Sequence, residues 1–193
     1  LDAWTLEFWW KPVTDSPSTL HQLVCRDGGG GSRTWSVLGM PAAGSQNIKI
    51  SFWDENSVTI GDVIAPSGTI VNLDKWHHIA ITYEEDAVDP NNVFVDMYVT
   101  EEGDTSANLV VSANIGTPMG KPTTSMSDMS ILHNYNRQYG RFTPGLIDEL
   151  RFSSKVRTPD EFTTLLPAAA KQYRTVSSLS AETRAIVEEV WDN

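Results

Sequence analysis

An all-β fold, a two-sheet antiparallel sandwich with short helices at its C-terminal end, is what the sequence predicts. Three observations carry it. Short runs of alternating apolar and polar residues recur along most of the 193 residues. Gly, Pro, Asn and Asp punctuate these runs at close intervals. Helical patterns begin only near residue 157, so there is no strand–helix–strand alternation to build a parallel sheet.

The elements follow in order. AWTLEFWWKP (3–12) sets Trp4, Leu6, Phe8 and Trp10 against Thr5, Glu7 and Trp9, and stops at Pro12, which reads as a strand with one fully apolar face. TLHQLVCR (19–26) and SRTWSVLG (32–39) are two further strands joined through DGGGG, whose glycines supply the backbone freedom of a long hairpin turn. NIKISFWDE (47–55) alternates Ile48, Ile50 and Phe52 with Lys49, Ser51 and Trp53. SVTIGD and GTIVNL give shorter strand-like pieces interrupted by Pro66 and Gly68.

DKWHHIAITYE (74–84) divides into Trp76, His78, Ala80 and Thr82 on one face, and His77, Ile79, Ile81 and Tyr83 on the other. VFVDMYVT (93–100) places Val93, Val95, Met97 and Val99 opposite Phe94 and Tyr98, as an inner strand does. NLVVSANIG (108–116), SMSDMSILHN (125–134) and GLIDELRFS (145–153) bring the expected total to about ten to twelve strands. RTPDEFTTLL then starts a helix, with Thr158 as N-cap, Pro159 at the first helical position and Glu161 completing a capping box. SLSAETRAIVEEVW (178–191) reads as a short amphipathic helix. One principal domain over 1–166 is expected, followed over 167–193 by a linker and this helix, which leads to a neighbouring domain in the same polypeptide or packs back on the sandwich.

Composition excludes several classes. A hydrophobic fraction of 40% and seven Trp supply enough buried surface to exclude disorder. A net charge of −11 repels phosphate backbones, so nucleic acid is not an expected partner. The single Cys25 cannot close an internal disulfide and reads as a buried inert thiol. No apolar run approaches the roughly 18 residues of a membrane span.

Candidate chemistry is sparse. His77 and His78 point to opposite faces of a strand and cannot share one metal, and no HExxH, CxxC or His-x-His spacing supports zinc. Asp148 and Glu149 are adjacent, so in a regular strand they also diverge and do not form the carboxylate pair of a glycosidase. No GxSxG is present, and the reading is of a protein that is not an enzyme. Aromatic rings with polar neighbours are the physical means of holding sugars. HNYNRQYGR (133–141) offers Asn134, Tyr135, Asn136, Arg137 and Tyr139, while Trp35 and Trp53 are candidates to line a sheet face.

Taken together, WTLEFWWKP, DKWHHIAITYE, VFVDMYV and GLIDELRFSSKVRTPDEF resemble laminin G-like, concanavalin A-like jelly-roll domains, in the right order over about residues 4–165. The resemblance implies a jelly roll, placement outside the cell or in the cell envelope, and carbohydrate or protein binding within a larger protein. It also implies a structural calcium with Asp148 as a ligand, and a further strand upstream pairing with the Trp-rich first strand. The E-x-D-x-x-E stretch of related glucanases is missing. The expected function is a lectin-like carbohydrate-binding module; the alternative is a structural or adhesion domain contacting protein partners.

Overall fold

The computed structural model describes residues 2–12, 21–27, 33–42, 44–54, 56, 58–89, 91–119, 129–131 and 145–163. The loop 133–141 and the segment 167–193 lie outside the described residues, and with them Asn134, Tyr135, Asn136, Arg137 and Tyr139.

Ten strands and one helix are formed by the described residues: β1 (Ala3–Pro12), β2 (His21–Asp27), β3 (Arg33–Ala42), β4 (Ser45–Trp53), β5 (Thr59–Ile64), β6 (His77–Glu85), β7 (Val93–Glu101), β8 (Leu109–Asn114), β9 (Ser130–Ile131), β10 (Gly145–Ser153) and α1 (Pro159–Thr163). They build two five-stranded sheets, one in the order β10-β1-β6-β7-β8 and the other in the order β5-β4-β3-β2-β9. Every pairing between them is antiparallel. The chain lays β1 in the first sheet, runs a meander through β2–β5 in the second, returns for β6–β8, crosses for β9 and comes back with β10. The result is the sandwich expected from the alternation.

The core lies between the sheets. Trp4, Leu6, Phe8 and Trp10 of β1 face Val37, Ile48, Ile50 and Phe52 of the opposite sheet, joined by Ile79, Ile81 and Tyr83 of β6 and Val93, Val95 and Met97 of β7. Each such side chain contributes roughly 1.5–3 kcal/mol on burial, so the alternation fixes which face turns inward and therefore the register. β1 is flanked by β10 on one side and β6 on the other. The Trp-rich strand is thus interior, and these pairings leave no open edge on it for an upstream strand to fill.

Two strand expectations shift. GTIVNL forms no strand; Ile70 makes a single bridge to Gln46, because Pro66 and the positive φ of Gly68 (79°) turn the chain before a ladder can extend. Of SMSDMSILHN, the described part pairs only through Ser130 and Ile131.

The outer face of the first sheet is covered too. There Phe162 of α1 packs on Ala80 and Tyr98 in a small second core. Its ring meets Tyr98 edge-on at 5.1 Å. The capping expectation for this helix holds in part: the Glu161 carboxylate accepts the Thr158 N–H at 2.8 Å.

Candidate functional site

The covered outer face of the first sheet buries Thr5, Glu7, His78, Thr82 and Thr100. Glu7 sits at the centre of β1, its side chain 1% exposed, because alternation puts it opposite the core-facing Leu6 and Phe8. A lone buried carboxylate is costly, and it is paired. Arg157 donates to Glu7 Oε1 at 2.8 Å and to Oε2 at 3.2 Å. The other guanidinium nitrogen of Arg157 donates to the Glu161 carbonyl, tying the same side chain to α1. Thr5 completes the fastening: its hydroxyl donates to the Lys155 carbonyl at 2.8 Å and accepts the Arg157 N–H at 2.9 Å. Burial pushes the Glu7 carboxyl above its ordinary pKa, against the pull of Arg157 and Arg151.

Beside this pair a cavity of about 260 Å³ opens, lined by Trp9, His78, Glu149, Leu150 and Arg151. Three strands build it. β1 gives Trp9 and β6 gives His78, direct partners across the ladder, with rings edge to face at 5.2 Å. β10 gives the remaining three through an irregularity: Trp9 pairs with Asp148 and Glu7 with Arg151, so Glu149 and Leu150 together oppose the single Phe8. Glu149 takes the strain of this bulge, with φ at +51°. Leu150 packs toward the core while Glu149 stands exposed at the rim.

Two polar groups stand in the wall, one buried and one accessible. His78 is 2% exposed, and its Nδ1 has no hydrogen-bond partner. Burial, with help from the charges of Arg157 and Arg151, lowers its pKa to about 4, so the ring is neutral near pH 7. Arg151 is 43% exposed and reaches Glu7 Oε2 only at 3.9 Å, an ion pair without a hydrogen bond.

The other sites expected from the sequence are placed as follows. Trp35 is a correction: at 2% exposure it is a core ring, stacked on Phe152 at 6.3 Å and tilted on Trp4 at 5.7 Å, so it presents no free face to a sugar. Its alternation partner on the outer face is Ser36, buried and bonded to Gln22 at 3.1 Å. Trp53 is half-buried at the end of β4, on the outer side with Lys49 and Ser51 by alternation. Asp148 is half-buried and accepts the Glu149 N–H at 2.8 Å. Among the described residues no three His, Cys, Asp or Glu side chains converge as a metal site would require. The thiol of Cys25 is buried. His77 and His78 do face apart: His77 is buried on the side of Ile79 and Ile81 with its Nε2 2.9 Å from the Asn72 carbonyl oxygen, and His78 stands in the cavity wall.

Sequence reading missed the cavity. Its signal was present, since Glu7 interrupts an apolar strand and two arginines follow in and just after the last one; a charge in such a setting demands a partner.

Comparison with known proteins agrees with this architecture. The family model described as the Concanavalin A-like lectin/glucanases superfamily matches residues 1–162. No curated protein matches the sequence. Among solved structures, the chain is similar to a native heptameric SAP-like pentraxin from Limulus polyphemus, with a TM-score of 0.56 and 11% identity over 91% of this chain and 73% of that one. It is similar to the CBM40 module of the Ruminococcus gnavus IT-sialidase bound to α2,6-sialyllactose, with a TM-score of 0.54 and 12% identity over 86% and 84%. An endo-β-1,4-glucuronan lyase from the fungus Trichoderma reesei gives a TM-score of 0.52 and 10% identity over 80% and 69%.

Proposed function

From the fact that the chain belongs to the concanavalin A-like lectin/glucanase superfamily, we propose that it is a non-catalytic carbohydrate-binding module of a larger secreted or cell-surface protein. The observation that carries this reading is the cavity: a half-exposed guanidinium and an exposed carboxylate stand in the lining of one small concave space, with a largely buried indole beneath them. Planar charged groups of this kind hold the hydroxyls of sugar rings. A module of the same fold bound to a sialylated lactose supports a glycan as the ligand class.

The fold also serves a polysaccharide lyase, so binding has to be favoured over cleavage by the residues themselves. A general acid or base works best with its pKa near the working pH. His78 at about 4 is far from it, and the Glu7 carboxylate is held by both oxygens on Arg157. Both groups are committed to the packing of α1 on the sheet.

Titration calorimetry of the purified protein against a panel of glycans, run beside an assay for newly formed chain ends, tests the reading. Heat of binding without product is the expected result; sustained product formation sinks it. The same titrations carry two further parts of the proposal. Tyr135→Ala and Tyr139→Ala report whether the 133–141 loop contributes, and added calcium or a chelator reports whether a cation at Asp148 supports binding. Cell fractionation checks placement outside the cell or in its envelope.

A further inference from the structure

Resting on the carbohydrate reading above, we propose that residues 154–163 form a strap that lifts off the first sheet as a unit, and that a sugar ring then takes the place of Phe162 on the face the strap covers.

The strap is fastened separately from the sandwich. Among the described residues, none of 154–163 joins a strand ladder or the main core. Its apolar anchor is Phe162, which makes a cluster of its own with Ala80 and Tyr98. β1 keeps β10 on one flank and β6 on the other whether the strap is down or up. The polar fastenings converge on two residues of β1: Thr5 bonds the Lys155 carbonyl and the Arg157 N–H, and Glu7 holds the Arg157 guanidinium. Within the strap, Lys155 pairs with Glu161, whose carboxylate also accepts the Thr158 N–H, so the turn keeps its own shape. A segment bonded within itself and tied to the rest by few contacts is the kind that opens below the level of global unfolding. Lifting returns the Glu7 carboxylate to water, which offsets the loss of Arg157.

Phe162 itself shows what the covered face accepts. Its ring is wholly buried, meets Tyr98 edge-on at 5.1 Å and lies tilted against His78 at 6.2 Å. Ala80 stands in register between Glu7 and Tyr98, and its small methyl leaves the dip that the ring fills. With the strap down, Glu7, His78 and Ala80 are closed to any ligand, at 1%, 2% and 0% exposure. With it up, a ring-sized dip lies between an aromatic edge and a carboxylate, and Arg151 is in register beside Glu7. A pyranose ring matches the ring it replaces in size; its C–H face packs on Tyr98 and its hydroxyls reach Glu7 and Arg151.

Thr5→Val tests this, because it removes two fastenings of the strap and leaves the face beneath intact. Amide hydrogen exchange reads the opening at Glu161, whose N–H donates to the Thr158 carbonyl at 2.9 Å, against Ile81 in β6. Binding is read on a glycan array, with the strongest glycan then titrated. In the unaltered protein Glu161 should exchange well ahead of Ile81. In Thr5→Val its exchange should quicken by about tenfold, and the apparent affinity for the glycan should rise by the same factor, since both report one opening equilibrium. Phe162→Ala, with its circular dichroism unchanged, should raise the affinity in the same direction. Exchange at Glu161 that only keeps pace with Ile81, or that Thr5→Val leaves unmoved as fraying of a short helix would, overturns the strap. Faster exchange with affinity unchanged or reduced in both variants overturns the sugar as the replacement for Phe162 and leaves the carbohydrate reading to another part of the surface. Binding to no glycan by any of the three proteins overturns the carbohydrate reading and this occupant together, while the exchange data still decide the strap.

Discussion

At the residue scale, the fold holds two histidines neutral, and that has a measurable cost in acid. Folding removes the His78 ring from water and lowers its pKa from 6.5 to about 4, while burial also lowers that of His77. Below pH 6.5 the unfolded chain binds protons that the folded chain refuses, so stability falls as pH falls through this window and levels off near 4. His78 alone accounts for a loss on the order of 3 kcal/mol. Glu7 acts in the opposite sense, because its raised carboxyl pKa lets the folded chain take up a proton before the unfolded one does. The urea midpoint should therefore drop between about pH 7 and about pH 5, and the His78 ring resonances should stay those of neutral imidazole over the same interval. An unchanged midpoint with a His78 titrating near 6.5 would falsify the assignment. The split of the two histidines between faces was legible from period-two alternation. The core position of Trp35 was not distinguishable from a surface one, since the same alternation describes both faces until one knows which is covered.

At the scale of elements, β10 and α1 lock to β1 through few but specific contacts. Gly145 opens β10 with φ at +150°, and a Cβ there would stand 2.7 Å from the Lys11 carbonyl oxygen and 2.9 Å from Trp10 Nε1. Both the backbone and the space forbid a side chain, so Gly145→Ala is expected to destabilise by about 2–4 kcal/mol, read from urea denaturation; a loss below about 0.5 kcal/mol would show that the strand entry relaxes freely. The Glu7–Arg157 pair gives a second test. Arg157→Met strands a buried carboxylate and should cost about 3–5 kcal/mol, whereas the double change Glu7→Gln with Arg157→Met should recover much of that loss. Equal destabilisation by the single and double variants would mean that Arg157 acts through packing alone. The start of α1 was written in the sequence by Thr158, Pro159 and Glu161, residue types with one dominant use. The bulge at Glu149 was not, because its cause is the need to keep Leu150 on the core and Arg151 over Glu7, a tertiary demand.

At the scale of the whole molecule, the two sheets were legible because their strands alternate cleanly, while their order depends on contacts between residues far apart in the chain. Thr5 pairs with Ser153, and Arg157 returns to Glu7, so the first strand is completed only by the last. Such non-local closure sets slow folding, commonly ms to s, and it makes the C-terminal boundary of the domain testable. A chain ending at residue 166 retains every described strand together with α1. A chain ending at residue 144 lacks β10 and α1; it exposes the flank of β1, uncovers Ala80 and Tyr98, and leaves Glu7 without its cations. The longer chain should unfold in one cooperative urea transition, with tryptophan fluorescence and circular dichroism coinciding. The shorter one should bind a hydrophobic dye and show no such transition, because a Trp-rich strand with an open edge is prone to pair with other chains. Cooperative unfolding of the 144-residue chain at the same midpoint would show that β10 and α1 are accessories, and the cavity that they wall would lose its claim to be part of the folded core.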